Sequence, residues 1–214
     1  MLEITRLEVG IGATPILRGV SLEVPTGSLC GVVGRNGAGK TTLMRAIVGA
    51  LTPRGGTIRL DGLDLLGLAP YRRARLGIGY LPEDRRLVPE LTAEDNILLP
   101  AWATRPEEAA RRLRTAYEVI PELVPLARRR TTQLSGGQQK IVALARAFTA
   151  GTRLLLLDEP LEGVAPALAE RIADVIADLK RLGISTVVAE SDTKALSRAL
   201  DRVYVIERGG IAAA

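Results

Sequence analysis

Hydrophobic and polar positions follow two spacings along this chain, and each spacing predicts one kind of element. Alternation of apolar and polar residues predicts three edge strands of an early, antiparallel part, at residues 2–9, 17–24 and 57–60. Short apolar runs predict four more strands, at residues 29–33, 154–157, 184–189 and 203–206. The run at 154–157 carries no polar residue, which is typical of a central strand in a parallel sheet buried on both faces.

Helical spacing predicts the elements that lie between and after these strands. The segment behind Ser135 carries its apolar residues three to four positions apart, at Ile141, Leu144, Ala145 and Phe148. Residues 166–182 predict a helix with one apolar face, which Gly183 ends. Thr92 and Asp95 have the spacing of a capping box at the start of another helix.

A glycine-rich loop follows the predicted strand at 29–33. Its residues match the pattern G-x-x-x-x-G-K-[ST] at every fixed position: Gly34, Arg35, Asn36, Gly37, Ala38, Gly39, Lys40 and Thr41. A predicted helix at 42–48 completes the strand, loop, helix order that this phosphate-binding motif requires. Backbone N–H groups of such a loop surround phosphates, Lys40 reaches the β and γ oxygens, and the Thr41 hydroxyl is a hard oxygen ligand for Mg²⁺.

Two carboxylates end the apolar run at 154–157. Since the functional groups of a parallel sheet lie at the carboxyl ends of its strands, Asp158 and Glu159 are candidate site residues. Asp158 suits Mg²⁺ held through its water shell, and Glu159 suits a general base that orients or deprotonates an attacking water. With the phosphate loop in the same chain, this pair predicts hydrolysis of a nucleotide.

The third motif is the helix start at Ser135, Gly136, Gly137 and Gln138. Serine is a preferred N-cap, and the free N–H groups of a first helical turn favour an anion such as a phosphate. These residues alone are equally compatible with an ordinary serine-capped helix that has a glycine-rich entry.

In this order the three motifs resemble the nucleotide-binding subunit of ABC transporters, over almost the whole chain. The resemblance implies an α/β fold: a P-loop NTPase core with a mixed, largely parallel sheet, an N-terminal antiparallel β part and a helical subdomain. We therefore expect a single nucleotide-binding domain over residues 1–214, with the helical subdomain at about 84–150. The implied cofactors are ATP and Mg²⁺. The implied partners are a second ATP-binding subunit and membrane-spanning permease subunits.

The family architecture also assigns the motifs to two different ATP molecules. Two subunits pack head to tail, so Ser135, Gly136, Gly137 and Gln138 would act on the ATP of the neighbouring subunit. The loop from Gly34 to Thr42 would hold this chain's own ATP. Residues 77–86 and 91–96 look like the branch that imports branched-chain amino acids and related small polar or amide solutes. There Glu83 stands where most members carry glutamine, which implies a metal ligand.

Three positions depart from the family pattern near the nucleotide. The chain contains no histidine, so Ser191 stands where a catalytic switch histidine contacts the γ-phosphate. Ile11 replaces the aromatic ring that stacks on adenine, and Leu161 replaces the usual serine after Glu159. We expect that this chain's own site is weakened and that it works in a heterodimer. A homodimer with two equivalent sites remains the alternative.

The composition of the chain limits the kinds of partner that we expect and where the protein is located. The net charge is +5, but aromatic residues make up only 3% of the chain, so it offers few base-stacking platforms and we expect no nucleic-acid partner. No apolar run reaches the roughly 18–20 residues that cross a bilayer, and no signal segment is evident. We expect a cytoplasmic protein, peripheral on the inner face of the cell membrane. Its single cysteine, Cys30, lies in a predicted strand and is expected to be a buried thiol.

Two other classes of function remain open at this level. One is a degenerate or regulatory ABC-like protein that binds ATP without hydrolysing it, which would explain the departures near the nucleotide. The other is an ABC ATPase that does not serve transport, although such proteins normally carry two of these domains or long insertions.

Overall fold

The computed structural model describes residues 1–192 and 194–212; residues 193, 213 and 214 of the expected domain 1–214 lie outside the described part. The strands in that part are Leu2–Ile11 (β1), Thr14–Val24 (β2), Leu29–Val33 (β3), Gly55–Leu60 (β4), Leu63–Asp64 (β5), Ile78–Leu81 (β6), Leu154–Asp158 (β7), Ser185–Glu190 (β8), Arg202–Glu207 (β9) and Gly210–Ile211 (β10). The helices are Lys40–Val48 (α1), Pro70–Arg75 (α2), Ala93–Thr104 (α3), Ala109–Val119 (α4), Gly136–Ala150 (α5) and Pro166–Arg181 (α6). Short 3₁₀ turns lie at Pro106–Glu108, Pro121–Leu126 and Thr131–Gln133.

The strands form two sheets. A four-stranded antiparallel sheet has the order β2-β1-β4-β5, and a six-stranded sheet has the order β10-β9-β3-β8-β7-β6. In the larger sheet every pairing is parallel except that of β10 with β9. The mixed, largely parallel core and the antiparallel N-terminal part are therefore as predicted.

Two of the three predicted edge strands are in fact interior strands. β1, predicted at 2–9, pairs with both β2 and β4, and β4, predicted at 57–60, pairs with both β1 and β5. Of the three, only β2 lies at an edge of the smaller sheet, and β5 forms its other edge. The prediction was wrong because alternation reports which faces of a strand are buried, and says nothing about how many neighbours bond to its backbone.

Strand β7 is buried along its whole length, as its apolar run predicted. All five of its residues are buried, and it pairs with β6 and β8 on its two sides. Leu155 and Leu157 pack with α5 and α6 on one face of the sheet, whereas Leu154 and Leu156 pack with α1 and the smaller sheet on the other. The carboxyl end of β7 is thus held from both faces.

The remaining local predictions agree with the structure. The Thr92 and Asp95 side chains form a reciprocal capping box at the start of α3. Cys30 is buried in β3. Within the described residues, no helix is both long enough and apolar enough to cross a membrane.

A buried arginine anchors the carboxyl end of α1, the helix that begins at Lys40. The Arg73 guanidinium is 4% exposed and donates to the backbone oxygens of Ala46 and Ile47, each at 2.8 Å, and to that of Leu68 at 3.0 Å. The bonds to Ala46 and Ile47 reach carbonyls in the last turn of α1, where intrahelical donors run out; the Ala46 oxygen also accepts from the Gly49 N–H at 3.2 Å. Arg73 therefore links α2 to the helix that carries the phosphate-loop lysine.

We expect Arg73→Met to lower the free energy of unfolding by roughly 2–3 kcal/mol, because it removes the guanidinium hydrogen bonds to the Ala46, Ile47 and Leu68 carbonyls at a buried site. Arg72→Met is the matched control, since Arg72 is the exposed neighbour on the same short helix. Urea unfolding of both variants measures the difference. Equal losses of stability in the two variants would show that Arg73 does not anchor α1.

Candidate functional site

The phosphate loop joins β3 to α1 and closes around its own lysine. Gly39 caps α1 with a left-handed φ of 112°, a conformation that a residue with a side chain rarely adopts. Lys40 Nζ donates to the Gly34 carbonyl at 2.6 Å. A cavity of about 200 Å³ lies beside the loop, with walls from Ile16, Arg35, Gly37, Gly39, Lys40, Thr41, Thr42 and Glu159. The loop is thereby shaped for a small anionic group.

Lys40 also forms a buried ion pair with Glu159. The Nζ and Oε1 atoms are 3.0 Å apart, and the two side chains are 3% and 9% exposed. Burial by itself would raise the pKa of Glu159, but hydrogen bonding with Glu162 and the Lys40 ammonium together hold that pKa below its usual value. Glu159 is therefore held as a carboxylate beside the phosphate loop, which is the state that a general base requires.

Asp158 lies between two hydroxyl donors. Thr41 Oγ1 donates to its Oδ1 atom at 3.1 Å, and the Tyr80 hydroxyl donates to its Oδ2 atom at 3.1 Å. Burial raises the pKa of Asp158, although both hydrogen bonds favour its ionised form. The structure thus brings together Thr41 and Asp158, two of the three predicted metal ligands.

Glu83, the third predicted ligand, is exposed just beyond β6. Among the described residues it forms no hydrogen bond or ion pair with Thr41 or Asp158. Tyr80, three residues earlier, was not identified from the sequence. The available signal was an aromatic residue with a polar tip on the strand next to the acidic one, and such residues usually find a partner when buried.

Ser191 and Ile11 occupy different surroundings. Ser191 Oγ donates to the Asn36 Oδ1 atom at 3.1 Å and lies 3.5 Å from Lys40 Nζ, so it contacts the phosphate loop directly. Ile11, at the end of β1, is 54% exposed and does not line the cavity beside Lys40, where Ile16 supplies the apolar wall.

The helix start at Ser135 is well formed. Its hydroxyl accepts from the Gln138 N–H at 3.3 Å, and the Gln138 side chain accepts from the Ser135 N–H at 3.0 Å, which completes a capping box. Ser135 and Gly136 are exposed. Within the described residues, no hydrogen bond or ion pair joins residues 135–138 to the phosphate loop, so the chain brings together two of its three motifs.

Two buried charged residues beside Glu159 were also missed. Lys140 Nζ donates to the Glu159 carbonyl at 2.7 Å, and Glu190 Oε1 accepts from the Leu161 N–H at 2.9 Å. Burial lowers the pKa of Lys140 and raises that of Glu190 to about 7. Lys140 precedes Leu144 by four residues, so a charge on the apolar face of α5 was the signal that the sequence offered.

Comparison with known proteins gives one consistent family. The family model described as "ABC transporter" matches residues 17–162. The chain is 33% identical over 211 residues to the high-affinity branched-chain amino acid transport ATP-binding protein BraG of Pseudomonas aeruginosa, covering 99% of this chain and 91% of that protein. It is also 33% identical to the probable branched-chain amino acid transport ATP-binding protein LivF of Archaeoglobus fulgidus, with coverage of 99% and 90%.

Similarity extends to a relative with another cargo and to solved structures. The lipopolysaccharide export system ATP-binding protein LptB of Acidithiobacillus ferridurans is 34% identical, with 92% of this chain and 82% of that protein covered. The dimeric post-hydrolysis structure of the ATP-binding cassette MJ0796 with ADP and Pi superimposes with a TM-score of 0.88 at 25% identity, covering 100% of this chain and 97% of that one.

The buried Glu190 predicts a pH-dependent stability. Its pKa is about 7 in the folded chain against its usual 4.5, so folding favours the protonated form, and stability falls as the pH rises through this window. We expect Glu190→Gln to gain stability relative to the wild type between pH 5 and pH 8, by roughly 2 kcal/mol. Urea unfolding at both pH values measures this, with Glu170→Gln on the exposed face of α6 as the control for loss of a charge. Parallel curves for Glu190→Gln and the wild type would exclude the effect.

Proposed function

Because this chain belongs to the ABC transporter ATPase family, we propose that it is the subunit that energises an importer of branched-chain amino acids or related small polar solutes. The observation that carries the substrate class is the similarity to BraG and LivF over 99% of the chain. We further propose that residues 1–214 form one nucleotide-binding domain whose helical subdomain spans about 84–150. The grouping of α3, α4 and α5 in this stretch supports that division.

The phosphate loop binds this chain's own ATP in the proposal. Backbone N–H groups from Gly34 to Thr42 surround the phosphates, and Lys40 contacts the β and γ oxygens. Because Lys40 is paired with Glu159 at 3.0 Å, a γ-phosphate oxygen that reaches the ammonium competes with this carboxylate. Glu159 is then free to orient the attacking water and to accept its proton.

The residues around Asp158 fit a magnesium ion. Thr41 Oγ1 and Asp158 Oδ1 are hard oxygens 3.1 Å apart, the ligand type that Mg²⁺ prefers. Thr41 and Asp158 would hold the cation, with Glu83 as a third oxygen donor. When bound, the cation offsets negative charge on the phosphate oxygens. The Tyr80 hydroxyl keeps Asp158 oriented by its bond to the second carboxylate oxygen.

We propose a dimer in which α5 of one subunit completes the ATP site of the other. The N-terminus of α5 is exposed at Ser135 and Gly136, and the first turn of a helix favours an anion such as a neighbour's γ-phosphate. Membrane-spanning permeases are the further partners, which would hold the subunit at the inner face of the cell membrane. ATP-driven closure and opening of the dimer then supplies the conformational change.

This chain's own site is the weaker of the two in the proposal. Serine at position 191 donates a hydrogen bond but carries no cationic ring. Ile11 offers adenine no π-face. A heterodimer in which the partner's site does most of the hydrolysis accounts for both features. The similarity to LptB makes export the second candidate direction of transport.

Transport is tested in membrane vesicles that contain this chain with its permeases and solute-binding protein. We expect ATP-driven uptake of labelled leucine, with competition by valine and isoleucine. Ser135→Arg should lower uptake roughly tenfold or more, because an arginine side chain at the helix start blocks approach of the neighbouring subunit's ATP. Ser197→Arg, at another exposed serine, is the control. Energised movement only of a solute outside the proposed class of branched-chain amino acids and related small polar solutes, or movement outwards, would refute the importer proposal.

The proposed difference between the two ATP sites of the dimer is tested by mixing the purified chain with its partner subunit and measuring ATP turnover. We expect Ser135→Arg in this chain to abolish turnover, whereas Glu159→Gln in this chain leaves most of it. The same glutamate-to-glutamine change in the partner should abolish turnover, since that site does most of the chemistry. If Glu159→Gln in this chain is as damaging as the change in the partner, the two sites are equivalent and the asymmetry is wrong.

A further inference from the structure

Two buried charged residues, Lys140 on α5 and Glu190 on β8, lie outside the phosphate contacts described above. They are 4% and 8% exposed. A buried charge costs several kcal/mol of desolvation unless hydrogen bonds and nearby charges compensate it. Both side chains form hydrogen bonds with backbone atoms of one segment, the turn that follows Asp158.

Lys140 holds the first residue of that turn. Its Nζ atom donates to the Glu159 carbonyl at 2.7 Å, and the same carbonyl accepts from the Glu162 N–H at 3.3 Å. Glu159 has a left-handed φ of 48°. For a residue with a side chain this conformation costs about 1–2 kcal/mol, so surrounding contacts must stabilise it. An apolar side chain at position 140 would avoid desolvation but would leave the turned carbonyl with one donor fewer.

Glu190 holds the same turn from the other side. Its Oε1 atom accepts from the Leu161 N–H at 2.9 Å. The backbone of β8 adds a second contact, since the Glu159 N–H donates to the Ala189 carbonyl at 2.9 Å. Residues 159 and 161 are therefore fixed by two separate elements, α5 and β8.

We infer that Lys140 and Glu190 are positioning residues that clamp the turn 159–161 and so keep the Glu159 side chain at the phosphate loop. Lys140 also connects α5 to this chain's own base. It lies five residues after Ser135, about 8 Å along the helix at 1.5 Å per residue. This inference rests on the proposed role of Glu159.

The clamp is tested first by amide hydrogen exchange on the full chain. Glu190→Ala removes the acceptor of the Leu161 N–H, so exchange at that amide should rise about tenfold or more. Glu190→Gln retains an acceptor oxygen and should keep most of the protection. Lys140→Met should speed exchange in the same turn, and Lys140→Gln, which keeps a donor, should restore part of the protection. Thermal unfolding of each variant verifies that the chain is folded.

The second measurement is ATP turnover by the purified full chain, with the Glu159→Gln variant as the inactive reference. Lys140→Met should lower kcat about tenfold with little change in KM, because a displaced base affects the chemical step more than ATP binding. Lys140→Gln should recover part of that loss. Lys180→Met, which removes the ammonium paired with Asp201, is the control and should leave kcat unchanged.

Two results would overturn the clamp. One is unchanged exchange at Leu161 in a folded Glu190→Ala variant. The other is a kcat of Lys140→Met within twofold of the wild type in an assay where Glu159→Gln is inactive. If Glu159→Gln instead turns over ATP as fast as the wild type, the proposed role of Glu159 is wrong, and the exchange data alone decide whether the clamp exists.

Discussion

The parallel pairing of β3, β8 and β7 is the constraint on which the site depends. Its register aligns Val33 with Glu190 and Asp158 with Ala189, so all three strands end at one edge of the sheet. Two backbone hydrogen bonds continue the alignment into the loops, from the Gly34 N–H to the Glu190 carbonyl at 3.2 Å and from the Glu159 N–H to the Ala189 carbonyl at 2.9 Å. Because these bonds join backbone atoms, a change of side chain such as serine at position 191 leaves the loops where they are.

The parts of this arrangement that could be predicted are those that depend on residues close together in the sequence. The phosphate loop, the buried strand β7, the capping box at Thr92 and the N-cap at Ser135 each depend on positions a few residues apart, and local physics suffices to identify them. The interior places of β1 and β4 could not be obtained in this way. They depend on which strands pair, and the alternation of apolar and polar residues within one strand does not indicate which strands lie beside it.

The contacts around Asp158 and Glu159 could not be predicted either, because they join residues that are far apart in the sequence. Tyr80 meets Asp158 across 78 residues of sequence, Glu190 meets the Leu161 N–H across 29, and Lys140 meets the Glu159 carbonyl across 19. Lys140 lies on a predicted helix and Glu190 directly after the predicted strand 184–189, whereas the strand β6 that carries Tyr80 was not predicted. Their roles follow only from the way β6, β8 and α5 pack around β7.

Charge balance explains why so many ionisable groups are tolerated at this edge. Lys40 and Lys140 carry two positive charges, Asp158, Glu159 and Glu190 three formal negative ones, and no buried side-chain polar atom in the described part of the chain lacks a partner. The balance leaves little excess positive charge for phosphates. Since serine at 191 adds none, attraction of ATP depends on Lys40 and on the N–H groups at the start of α1. In the proposed dimer, the helix N-terminus contributed by the second subunit therefore carries more of the phosphate binding than it would opposite a site with a cationic histidine.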